Sequence, residues 1–162
     1  MPVVISNSSP LIALSGIDQL HILKELWHEV VIPEAVYREV VTNGIGKPGA
    51  DKAAAACSDW IKVVSVINRS EVEALQTILD EGEAGVIALG QEIKANLLLL
   101  DNREPRMFAK AVGLPVIGTV GIIKLAWQKG FIKRPTDELY KLRINGFWID
   151  DELMAYLKND MS

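Results

Sequence analysis

The chain has 162 residues, of which 49% are hydrophobic and 23% charged, with a net charge of −4 and one cysteine. That length and apolar share suit one globular domain with a real core, and the acidic balance argues against indiscriminate nucleic-acid binding, which normally rests on a basic surface. The leucine run ending at Leu100 is closed by Asp101, far short of the roughly 18 apolar residues of a membrane span.

Taken in order, strands and helices alternate. Val3 to Ile5 is a short β-branched run, and Ser9-Pro10 reads as an N-cap followed by proline at the first helical position, opening a helix toward Leu14. A helix fits Asp18 to Leu26 and a strand Glu29 to Ile32. Pro33 then opens a helix to Thr42 on an apolar stripe of Val36, Tyr37, Val40 and Val41. Asn43 to Gly49 is the segment richest in turn residues, and Lys47 lies within it. An alanine-rich helix, Ala50 to Cys57, precedes a strand, Ile61 to Val66; Ser70 caps a helix ending near Asp80, and Gly82 to Lys94 forms another. Leu97 to Leu100 reads as a wholly apolar central strand, the mark of a parallel sheet covered on both faces. A helix from Arg103 to Val112, a strand from Pro115 to Ile117 and a helix from Thr119 to Lys129 follow. Gly113 and Gly130 close the two helices.

This order predicts an α/β fold of three layers with a central, mainly parallel sheet, in a single domain over 1–162 whose last two helices, about 135–158, form a C-terminal extension. Met1-Pro2 carries no basic leader, and the lone Cys57 has no internal disulfide partner, so a cytoplasmic protein is expected, with Cys57 in a packing role. No Ser or Cys motif accompanies His21 or His28, so a catalytic triad is poorly supported.

In such sheets ligands bind beyond the carboxyl ends of the strands, which draws attention to Asn7 and Asp101. Asp101 reads equally as a turn former or helix cap. Glu83 lies in a first helical turn, where the helix dipole favours a carboxylate, yet it lines up with the inward stripe through Ile87 and Gly90. Glu39 is flanked by Val36 and Val40. Each acid alone reads more readily as a solvated or helix-end charge, and their spacing has no fixed metal-ligand register.

The chain resembles a PIN domain, in the subfamily that opens with a strand and then Asn-(Ser/Thr)-(Ser/Thr)-Pro. The residues that carry the likeness are Asn7-Ser8-Ser9-Pro10-Leu11-Ile12-Ala13-Leu14, Val31-Ile32-Pro33-Glu34-Ala35-Val36-Tyr37-Arg38-Glu39-Val40, Leu79-Asp80-Glu81-Gly82-Glu83-Ala84, Leu99-Leu100-Asp101-Asn102-Arg103 and Val116-Ile117-Gly118-Thr119-Val120-Gly121, in that order. The resemblance implies an α/β/α sandwich with acids gathered at the carboxyl end of the sheet around Mg²⁺ or Mn²⁺. The implied activity is hydrolysis of single-stranded RNA by a metal-activated water, in a VapC-like toxin that forms a homodimer and is silenced by a cognate antitoxin. By motif, Glu39, Glu83 and Asp101 are the catalytic acids. They share the metal with Asn7, which stands where most active members have Asp, and with Glu104 as a looser addition. Ser8, Ser9, Arg103 and Arg106 fall on the substrate side. The amide at Asn7 contributes no formal charge. The alternative is therefore a catalytically weakened, PIN-like protein that binds RNA or an antitoxin. A nucleotide-binding regulatory domain is disfavoured, because no glycine-rich phosphate loop follows the first strand.

Overall fold

The computed structural model describes residues 1–161. The first half runs β1 (Val4–Ser6), α1 (Ser8–Gly16), α2 (Ile22–Trp27), β2 (Val30–Pro33) and α3 (Glu34–Tyr37), then a π-helical turn (Arg38–Thr42), α4 (Ala50–Cys57) and β3 (Ile61–Val64). The second half runs α5 (Arg69–Leu75), α6 (Glu81–Glu92), β4 (Leu97–Leu99), α7 (Arg103–Ala111), β5 (Val116–Ile117), α8 (Thr119–Gln128), α9 (Pro135–Ile144) and α10 (Asp151–Asp160). The strands form one sheet in the order β3-β2-β1-β4-β5, every pairing parallel, with helices flanking it in a three-layer α/β/α arrangement. The sheet is thus parallel throughout where the sequence predicts mainly parallel.

This strand order creates a switch point. The chain winds from β1 through β2 to β3 on one side, then returns to lay β4 and β5 on the other, so connections leave β1 and β4 in opposite directions and a crevice opens between them. Register carries the argument to single residues. Ser6 pairs with Leu99, and Leu99 with Ile117. One step further, Asn7 N–H donates to Leu99 O at 3.0 Å and Leu100 N–H to Ile117 O at 3.0 Å. Continuing these rows sets Asp101 level with Ser8 on one side and Thr119 on the other.

The core is continuous. Ile5, Leu98, Leu99 and Leu100 are fully buried at its centre, and α9 and α10 add Leu139, Leu142, Met154 and Leu157 to the same cluster. Burial of every residue from Gly82 to Gly90 explains why α6 shows almost no amphipathic pattern in sequence.

Several boundaries differ from the sequence expectation for local physical reasons. α1 begins at Ser8 with Asn7 in the cap position, not Ser9, because the Ser9 hydroxyl is drawn away to Asp101 at 2.7 Å. Pro33 ends β2 instead of opening a helix, and the predicted helix to Thr42 is split by the π turn. Asn68, not Ser70, caps α5, its side chain accepting from Glu71 N–H. β4 stops at Leu99, and α2 begins only at Ile22, after a turn in which Asp18 adopts a φ of 62°.

Candidate functional site

The rim of the sheet at β1, β4 and β5 carries three linked stations of polar groups. The first is built on Asp101. Its carboxylate accepts from Thr119 N–H at 2.7 Å, from the Thr119 hydroxyl at 2.8 Å and from the Ser9 hydroxyl at 2.7 Å. The register supplies these donors: Thr119 is the first residue of α8, and its free backbone N–H points toward the strand end. Asp101 is fixed in one orientation by two flanking strand exits.

The second station is Glu83. It forms a reciprocal capping box with Asp80, whose carboxylate accepts from Glu83 N–H at 2.8 Å while Asp80 N–H donates to Glu83 Oε1 at 3.2 Å. Its other oxygen accepts from Asn102 Nδ2 at 2.8 Å. Asn102 follows Asp101, so this amide ties the second station to the first.

The third station is Glu39, on the π turn. Such turns insert an extra residue into the helical ladder and recur at functional sites. Glu39 Oε2 accepts from the Ser8 hydroxyl at 2.7 Å. Its other oxygen shares a cradle with Asn7. A Cβ added at Gly82 would meet Glu39 Oε1 at 2.4 Å and Asn7 Oδ1 at 3.2 Å. Asn7 Oδ1 is buried without a hydrogen-bond partner, and the side chain makes no cap bond to α1 despite holding the cap position. A buried amide oxygen left unpaired costs about 1–3 kcal/mol, and this one borders the same Gly82 cradle as Glu39 Oε1.

Electrostatics agree. Burial raises the Glu39 carboxyl above its ordinary range, opposed by the Ser8 hydrogen bond and reinforced by negative charge at Asp80, Glu81 and Glu83. The residue is exposed overall, yet its carboxyl is partly desolvated amid like charge. The linked stability effect has a definite sign. Below the ordinary glutamate value, folded and unfolded chains both carry the neutral acid. As pH rises toward the raised folded value the unfolded chain loses its proton first, so stability falls through that window and stays reduced above it. Glu39→Gln is neutral at every pH and still accepts from Ser8. In EDTA it should be more stable than the parent at pH 7 and equal to it at acidic pH in denaturant unfolding. An equal gap at both pH values would remove ionisation as the cause.

The residues fit a hard divalent cation at the cradle. Asn7 Oδ1 and the Glu39 carboxylate are oxygen donors of the kind such ions prefer, with water completing the coordination. Among the described residues, however, no three His, Cys, Asp or Glu side chains gather closely enough to hold a metal. Glu83 and Asp101 have their oxygens engaged in the hydrogen bonds above. Glu104 lies exposed on α7. Ser8 and Ser9, expected on the substrate side, donate to the acids. Arg106 reaches back to Leu100 O at 3.1 Å, and Arg103 is exposed. Asn102, Thr119, Gly82 and Asp80 were missed from sequence, although Asp80 and Glu83 spell a readable capping-box spacing.

Gly82→Ala tests the cradle without dismantling the fold. The new methyl displaces the flexible end of Glu39 and crowds Asn7 Oδ1 by a few tenths of an ångström, and the exchange favours the helix by up to ~1 kcal/mol. The variant should melt at or slightly above the parent temperature in EDTA, yet lose most of the parent's stabilisation by Mn²⁺.

A family model described as a PIN domain matches residues 3–161 of the chain. No curated protein matches it.

Proposed function

The chain belongs to the PIN-domain family, a nuclease-type fold whose members generally use divalent metal ions, and we propose that it is a Mg²⁺- or Mn²⁺-dependent endoribonuclease acting on single-stranded RNA. The observation that carries this reading is the unpartnered, buried Asn7 Oδ1 facing Glu39 across Gly82. Asn7 and Glu39 would hold the ion, with Asp101 and Glu83 completing the acidic rim. Held there, a divalent ion would supply a water of lowered pKa and offset the charge of a phosphodiester. The chain's own groups do the rest. Ser8 fixes the Glu39 carboxylate, Ser9 and Thr119 fix Asp101, and Asn102 keeps Glu83 in register with Asp101. Arg106 and Arg103, which make no ion pair among the described residues, provide positive charge for the RNA backbone beside an otherwise acidic rim.

Within the family, the Asn-Ser-Ser-Pro opening supports the toxin half of a toxin–antitoxin pair, with a small antitoxin protein and a second copy of the chain as partners. Exposed Ile144, Leu153 and Tyr156 on α9 and α10 support a protein contact. The weaker-enzyme reading has its own observation: Asn7 contributes no charge, and the acids stay at separate stations. Incubation of purified protein with a mixed single-stranded RNA pool in Mg²⁺, Mn²⁺ and EDTA decides between them. Cutting that EDTA abolishes is expected. RNA left intact under every condition by a folded protein would leave the binding role.

A further inference from the structure

Trp148 stands out among the tryptophans. Trp27 and Trp60 are buried at 9% and 8% exposure, whereas Trp148 is 83% exposed. Its neighbours are anchored: Phe147 packs on the core and its N–H donates to Leu142 O at 2.9 Å, while Ile149 is 3% exposed. The indole therefore stands on a braced segment just beyond α9. It also lines a cleft of about 370 Å³ whose walls include Asp101, Arg106, Gly118 and Phe147.

We infer that Trp148 is a stacking platform for one unpaired nucleobase of the strand bound at Asp101, with Arg106 holding the adjacent phosphate. This rests on the RNA-cleaving reading above and adds to it a named substrate-positioning residue. Three features fit that occupant. An exposed indole offers a flat face on which any base stacks, and such contacts tolerate sequence. The Arg106 guanidinium is held in place by Leu100 O and has no carboxylate within ion-pair range among the described residues. It is thus a positive charge in an acidic rim with no direct ion-pair partner among the described residues. Gly118, finally, leaves the floor open: a Cβ there would lie 2.8 Å from Arg106 Nη1 and 3.0 Å from Asp101 Oδ1. The bare backbone lets aromatic face, guanidinium and carboxylate border one cleft.

The test is fluorescence anisotropy of a labelled single-stranded RNA octamer in EDTA, where metal-dependent cutting is silent. Trp148→Ala, at an exposed position, should melt like the parent yet bind roughly 5- to 150-fold more weakly, and Trp148→Phe should recover most of the loss. On an octamer of abasic sugars the parent and Trp148→Ala should bind alike. Arg106→Ala should lower the slope of log affinity against log salt by about 0.7, one single-strand phosphate contact, while Trp148→Ala leaves the slope unchanged. Equal RNA binding by parent and Trp148→Ala overturns the inference, even if the protein cuts RNA. Parent protein that fails to bind the octamer overturns it as well. Sedimentation equilibrium separates the competing occupant: a parent dimer that Trp148→Ala turns into monomer would make this face a contact between copies. Conversely, a Trp148-dependent binder that never cuts would sink the nuclease reading and leave the platform standing.

Discussion

Asp101→Asn is expected to abolish RNA cleavage, by at least ~100-fold, while keeping the parent's stability, and Asp101→Ala to abolish cleavage and lower stability as well. The difference follows from the hydrogen-bond directions. In Asp101, Oδ1 accepts from Thr119 N–H, and Oδ2 accepts from the Ser9 and Thr119 hydroxyls. An asparagine can keep its oxygen on the backbone N–H and turn its Nδ2 donor toward the hydroxyls, which rotate to accept. Its stability should stay within ~1 kcal/mol of the parent. Alanine leaves three donors without an acceptor, and the Thr119 N–H cannot rotate away. Thr119 is fully buried, so a loss of ~1–3 kcal/mol is expected, the usual cost of an unpaired buried group. Denaturant unfolding in EDTA together with RNA cleavage in Mn²⁺ separates the two effects. Cleavage that survives in Asp101→Asn would remove this carboxylate from the chemistry.

Asn7→Asp should produce the largest cation-linked change in the protein. It places a second carboxylate beside Glu39 at a buried oxygen that has no protein partner. Without metal, the pair either repels or takes up a proton, and both options cost stability. We expect a loss of ~2–4 kcal/mol in EDTA, a fall in Tm of roughly 4–16 °C for a domain of this size. Because an ion that binds only the folded state stabilises it by mass action, Mn²⁺ should recover that loss and raise the Tm of Asn7→Asp by more than it raises the parent's. RNA cleavage should increase in parallel. Identical melting of parent and variant in EDTA, with identical responses to Mn²⁺, would mean that Asn7 Oδ1 faces no cation site.

The alternation of short apolar runs with helical segments determined the α/β class. The leucines before Asp101 marked a strand buried on both faces, because a wholly apolar run needs cover on both sides. The strand exits at Asn7 and Asp101 were legible for the same reason: in a parallel sheet the residues that follow strands share one rim. The five ordered motifs named the acids. Sequence could not show which hydroxyl serves which carboxylate, since Ser9 reads as a helix cap and Thr119 as the opening of a helix, and only the β1–β4–β5 register sets both against Asp101. Nor could it show the π turn that carries Glu39, or that Gly82 leaves room for the facing oxygens of Glu39 and Asn7, which lie 32 residues apart in the sequence. In sequence Trp148 beside Phe147 reads as core packing or a dimer contact, and only the folded chain brings it to the cleft beside Asp101. Local chemistry, encoded in short stretches, determined the elements and their ends. Convergence of groups far apart along the chain depends on register and close packing, which belong to the folded molecule as a whole.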